Sequence, residues 1–191
     1  MSLVVVYDAC VLYPASLRDL LLRFAVEELC HARWSEEILD EVFGNLRMDR
    51  PDLQPERLER TRRMMCEAVP DCLVQDHTHL IDFLELPDPN DRHVLAAAIY
   101  SGAAVIVTDN LHDFPEEALR PFGIEAVSAD AFALQVLKAW PERVAAVIRQ
   151  QSADLKKPPF TLGQLIEKLD ANGLKRFAAE LLQRDSEAFE P

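Results

Sequence analysis

Lysine is missing from the first 125 residues of this 191-residue chain, which carry eleven arginines against 24 acids. That balance of −13 equals the formal charge of the whole protein. It excludes a broad basic footprint there, the usual mark of a protein held on nucleic acid by phosphate contacts. Residues 126–191 hold nine charges of each sign and all five lysines, and the shift places a boundary near residue 130. Long apolar runs are missing too. The longest early one, Leu3 to Val6, is far too short to span a bilayer and lacks the basic and apolar regions of a secretion signal. A cytoplasmic location with no membrane partner is the expectation. Cys10, Cys30, Cys66 and Cys72 show no CxxC spacing and no histidine pair at a zinc-like interval, which argues against a structural zinc site and predicts free thiols. Five glycines and 12 prolines form no low-complexity tract, and no solenoid repeat is present.

What is there suits one globular domain with an appendage: 49% of residues are hydrophobic, in a chain long enough to bury a sizeable core. The expected division is a domain over 1–130 and a helical extension over 131–191. LVVVYD reads as a continuously apolar central strand that ends in a carboxylate, Asp8. LRDLLLRFAVEELC has helical spacing through Leu17, Leu20, Leu21, Phe24 and Leu29. Ser35 can cap a second helix, SEEILDEVFGNLR, and PERLERTRRMMCEAV is a third, strongly charged one. After short extended stretches, Asp88 can cap and Pro89 open the helix of PDPNDRHVLAAAIYSG, which Gly102 stops. AAVIVTD and IEAVS are two further strands. Helix and strand alternation predicts an α/β fold with a parallel sheet covered by helices. Four helical stretches follow, and KKPP at 156–159 sets the last two apart.

Ligands of open parallel sheets collect at the carboxyl ends of the strands. Asp8 and Asp109 fall there, Asp91 enters at a helix start between them in sequence, and Asp113 lies four residues beyond Asp109. Clustered carboxylates raise one another's pKa unless a cation neutralises them. Hard oxygen ligands favour Mg²⁺ or Mn²⁺, and such a site suits phosphodiester hydrolysis. Each acid also has a plain structural role open to it. Asp91 can serve a helix's first turn, Asp109 can begin a turn, and Asp113 can cap the next helix. Asp8 is the hardest to explain that way, because a carboxylate at the end of a buried strand is costly without a partner. The second helix offers Glu36, Glu37, Asp40 and Glu41, and its wheel does not choose among them. RTRR at 60–63 reads as a charged face pairing with Glu56, Glu59 and Glu67. Arg92 and His93 adjoin Asp91, so one of them could reach a substrate there; a histidine in such a setting is more often a core residue or a support behind a ligand. Cys10 reads as structural. Its place two residues after Asp8 also argues against a haloacid-dehalogenase-type phosphatase, which needs a second Asp at that position.

Four ordered blocks, YDACVLYPASLRDLLLR, ILDEVFGNL, PDPNDRHVLAAAI and VIVTDNLHDFP, resemble the PIN-domain nucleases, particularly the VapC-like toxins of bacterial toxin–antitoxin pairs. The resemblance covers about residues 3–130. It implies a Rossmann-like α/β/α sandwich with a Mg²⁺- or Mn²⁺-dependent endoribonuclease site, RNA as substrate and a cognate antitoxin as partner. Carried over, the family's acids fall on Asp8, Glu41 and Asp91, then on Asp109 or Asp113, which stay nearly equal. The family often has Asn or Thr where this chain has Cys10, and Asp or Asn where it has Asn110. The helices beyond 131 resemble, more weakly, the extension of larger VapC-like toxins; docking on the core, homodimer formation and antitoxin contact are all open to them. The alternative is a catalytically inactive PIN-like module that binds RNA or protein.

Overall fold

The computed structural model describes residues 3–156 and 159–187, so Lys157 and Pro158 of the KKPP stretch lie outside the described residues. Strand β1 (Val4–Tyr7) sits at the centre of a five-stranded, wholly parallel sheet ordered β3-β2-β1-β4-β5. Three buried residues in a row, Val5, Val6 and Tyr7, are what a strand covered on both faces requires. The expected strands at VIV and EAV are β4 (Val105–Val107) and β5 (Glu125–Val127).

Strand β2 (His31–Ser35) was not foreseen, and β3 (Leu73–Val74) falls where only short extended stretches were expected. The first alternates exposed or half-buried His31 and Arg33 with buried Ala32 and Trp34 over too few residues to stand out, and the second is only two residues long.

The helices of the front segment are α1 (Ala9–Leu12), α2 (Ala15–Val26), α3 (Glu36–Asp49), α4 (Pro55–Ala68), α5 (Arg92–Ser101) and α6 (Glu116–Leu119). Helix α2 stops earlier than its apolar spacing suggests. Glu28 turns left-handed (φ 52°), the Leu29 N–H returns to the Phe24 carbonyl at 2.8 Å, and the chain leaves towards β2. Ser35 caps α3 through a bond from the Ile38 N–H at 3.3 Å, as expected. Ahead of α5 the chain makes a 3-10 turn, Pro89–Asp91, so Pro89 opens that turn rather than the α-helix.

Helices α7 (Ala129–Ala139), α8 (Pro141–Asp154), α9 (Leu162–Ala171) and α10 (Lys175–Glu187) form the extension. They dock on the core. Phe132 of α7 meets Tyr7 and Phe24 edge-on at 6.0 and 6.5 Å, and Phe177 of α10 meets Phe24 at 6.5 Å. The amide of Gln151 donates to the Ser16 carbonyl at 2.9 Å, and Asn172 donates to the Ser16 hydroxyl at 3.0 Å. Asp130, itself buried, accepts the Phe177 N–H at 2.9 Å and the Arg176 guanidinium at 2.8 Å, holding the first turn of α10. The whole is a Rossmann-like α/β/α sandwich with a C-terminal helical extension. No described helix is long and apolar enough to cross a membrane.

Candidate metal centre

The strand order turns back between β1 and β4, and the crevice beyond the carboxyl ends of two such strands is where open α/β sheets gather ligands. Asp8 follows β1 there and Thr108 follows β4. Asp8 is 5% exposed, and both of its carboxylate oxygens accept hydrogen bonds. Its Oδ1 accepts the Ala9 N–H at 2.7 Å, and its Oδ2 accepts the Thr108 hydroxyl at 2.6 Å and the Cys10 thiol at 3.2 Å. Two donors fill Oδ2, while Oδ1 keeps a lone pair for a cation. Burial raises the Asp8 pKa, the hydrogen bonds from Thr108, Cys10 and Ala9 oppose the rise, and the Glu41 charge adds to it.

The Cys10 thiol also accepts the Asp109 N–H at 3.3 Å. Although the residue as a whole is exposed, burial of the thiol and the neighbouring Asp8 charge push its pKa up to about 12. All four cysteines are free.

Asp91 precedes α5 but makes no capping bond. Asp88 does the capping instead, its Oδ1 accepting the Asn90 N–H at 2.8 Å. Burial, followed by the charges of Asp8, Asp88, Asp113 and Glu41, lifts the Asp91 pKa to about 6. One oxygen each from Asp88, Asp91 and Asp113 lies within 4.8 Å of the others, a hard-oxygen set that fits a hydrated divalent ion. Asn110 spans the pair on either side of it, donating to Asp113 at 2.6 Å and to Asp91 at 3.4 Å. Hydrogen bonds from His112 and Asn110 lower the Asp113 pKa.

The glutamates of α3 sort themselves by partner. Arg62 of α4 binds Glu36 and also Asp40, the latter at 2.6 Å. Glu37 faces the buried His77 at 3.5 Å. Glu41 is the acid of this helix whose charge reaches both Asp8 and Asp91, and the His93 Nε2 lies 3.7 Å from its Oε2. Arg62 therefore ties α4 to α3 instead of pairing along its own helix, although Arg63 does pair with Glu67 at 3.6 Å.

Of the five acids read from the sequence, Asp91 and Asp113 come together with Asp88, while Asp8 and Glu41 stand outside that group of three with their charges reaching Asp91. Asp109 is turned aside: its Oδ1 accepts the Ala129 N–H at 3.0 Å, at the start of α7. Asp88 joins the cluster, and sequence reasoning had given it only a capping part. Its spacing three residues before Asp91 was the available signal, since both acids flank one turn.

Comparison with known proteins agrees with this geometry. The PIN-domain family model matches residues 4–112, and the VapC50 C-terminal domain model matches residues 129–183. VapC50 of Mycobacterium tuberculosis, which carries the provisional name of a ribonuclease, is 43% identical over 90 residues. That stretch is 47% of this chain and 53% of the relative, about half of each. No solved structure gives a significant match. With the PIN model covering more than half of the residues and the acids gathered at the β1–β4 crevice, the chain belongs to the PIN-domain family.

Proposed function

We propose that the protein is a divalent-metal-dependent endoribonuclease and the toxin of a toxin–antitoxin pair. The observation that carries this reading is the convergence of Asp88, Asp91 and Asp113, with Asp8 and Glu41 close enough to perturb Asp91. A carboxylate with a pKa near 6 in a group of acids is a site arranged for a cation. Asp8, Glu41, Asp91 and Asp113 would hold Mg²⁺ or Mn²⁺, with Asp88 beside them. Asp113 is the fourth ligand in this reading rather than Asp109, whose carboxylate is engaged at α7. When bound, the ion supplies a water of lowered pKa and neutralises charge on the phosphodiester.

The chain's own residues do the rest. Thr108 and Cys10 fix the plane of Asp8, and Asn110 holds Asp113 against Asp91. With no lysine in the front segment, substrate phosphate falls to arginine, of which Arg92 is next to the site; the Arg fork suits bidentate phosphate contacts. RNA as the substrate is supported by the name of the VapC50 relative and by the match of the extension to the VapC50 C-terminal family. A basic antitoxin segment would complement the acidic crevice.

The test is cleavage of single-stranded RNA by the purified protein with Mg²⁺, with Mn²⁺ and with chelator, beside Asp91→Asn. Metal-dependent cleavage lost in the variant is expected. RNA binding without cleavage under any metal would leave the inactive-module reading in its place.

A further inference from the structure

Glu41 stands on α3 and Asp91 immediately ahead of α5, and any ion they share needs those two elements held at a fixed separation. His93 is placed to do this. It lies in the first turn of α5, two residues after Asp91, and its Nε2 faces the Glu41 Oε2 at 3.7 Å. The ring side chain is 16% exposed, whereas Glu41 across from it is 45% exposed. The other ring nitrogen, Nδ1, is buried with no hydrogen-bond partner. A neutral imidazole carries its proton on one nitrogen. Facing a carboxylate, that proton belongs on Nε2, where it points at Glu41, and Nδ1 keeps only a lone pair.

The separation of 3.7 Å is an electrostatic contact rather than a formed hydrogen bond. Glu41 is free to close it, because among the described residues no arginine or lysine pairs with this carboxylate: Arg62 is occupied by Glu36 and Asp40, and His77 faces Glu37.

Resting on the nuclease reading above, we propose that His93 is the positioning residue for Glu41, donating from Nε2 to one carboxylate oxygen so that the other is presented towards Asp91 and a shared cation. Outer hydrogen bonds to a ligating carboxylate fix its direction. His93 itself touches neither ion nor substrate.

The test uses Mn²⁺ alone, titrated into the full chain and followed by electron paramagnetic resonance, with thermal unfolding of the metal-free proteins alongside. In His93→Gln the amide nitrogen falls near the place of Nε2, and in His93→Asn it falls near Nδ1. The expected result is Mn²⁺ affinity close to wild type for His93→Gln and weakened on the order of tenfold for His93→Asn, at comparable melting temperatures. Equal affinity of both variants with wild type overturns the proposal. An equal loss in both overturns it too, since the ring would then matter for packing and not for its donor. If wild type binds no Mn²⁺ at all, the metal centre itself fails, a result distinct from either of these.

Discussion

The carboxylate of Asp109 accepts the backbone N–H of Ala129 at 3.0 Å, while four residues on Asp113 accepts the amide of Asn110 at 2.6 Å. One short loop thus sends one acid to a helix start and the other to the crevice. Replacing each in turn should separate the two roles. Asp113→Asn is expected to weaken Mn²⁺ binding and leave the melting temperature unchanged or higher. Asp109→Ala is expected to cost about 1 kcal/mol of stability, the usual value of a lost helix cap, with Mn²⁺ affinity retained. Calorimetric titration and urea unfolding measure the two effects, and a loss of affinity confined to the Asp109 variant would reverse the assignment.

Asp91 makes the metal-free protein sensitive to pH in a definite direction. Its pKa is about 6 in the folded chain against an ordinary 3.8, so from about pH 4 to about pH 6 the folded state holds more protons than the unfolded one. Its contribution to stability therefore falls as pH rises through that window and is level above it. Asp91→Asn removes the titration. The stability of the variant relative to wild type should climb between pH 4 and pH 6 and then stay constant, as read from urea unfolding in the presence of chelator. A flat difference across the window would contradict the shift.

Thr108 is fully buried, donates to Asp8 and accepts the Asn110 N–H at 3.0 Å. Thr108→Val strips the bond from both partners and should cost on the order of 1–3 kcal/mol. Thr108→Ser keeps the hydroxyl and should recover most of it. A loss in Thr108→Ser with Thr108→Val near wild type would mean that the methyl group, not the hydrogen bond, carries the stability.

Much of the scaffold was legible because its signals are local. The apolar run before Asp8, the Ser35 cap and the periodic leucines of α2 each need only their sequence neighbours. The site was legible as a set of acids, and less so in its choices. Spacing alone does not single out Glu41, which the family resemblance picks; in the structure Arg62, more than twenty residues later, engages Glu36 and Asp40 instead. The difference between Asp109 and Asp113 depends on an amide twenty residues downstream. Asp88 reads as a cap and is one, but the 3-10 turn after it folds its carboxylate back beside Asp91, a bend that spacing alone does not reveal.

Tyr7 joins the two parts of the protein at one peptide bond from the candidate centre. Its ring lies against Phe132 of the extension, its hydroxyl donates to the Leu21 carbonyl at 3.2 Å, and the next residue is Asp8. Cutting the chain near residue 130 would uncover this ring and that of Phe24, so such a fragment should aggregate, and the intact protein should melt in a single calorimetric transition. The C-terminal helices are in this sense the foundation on which Asp8 is mounted: whatever grips them from outside alters the stiffness of the floor beneath the acids.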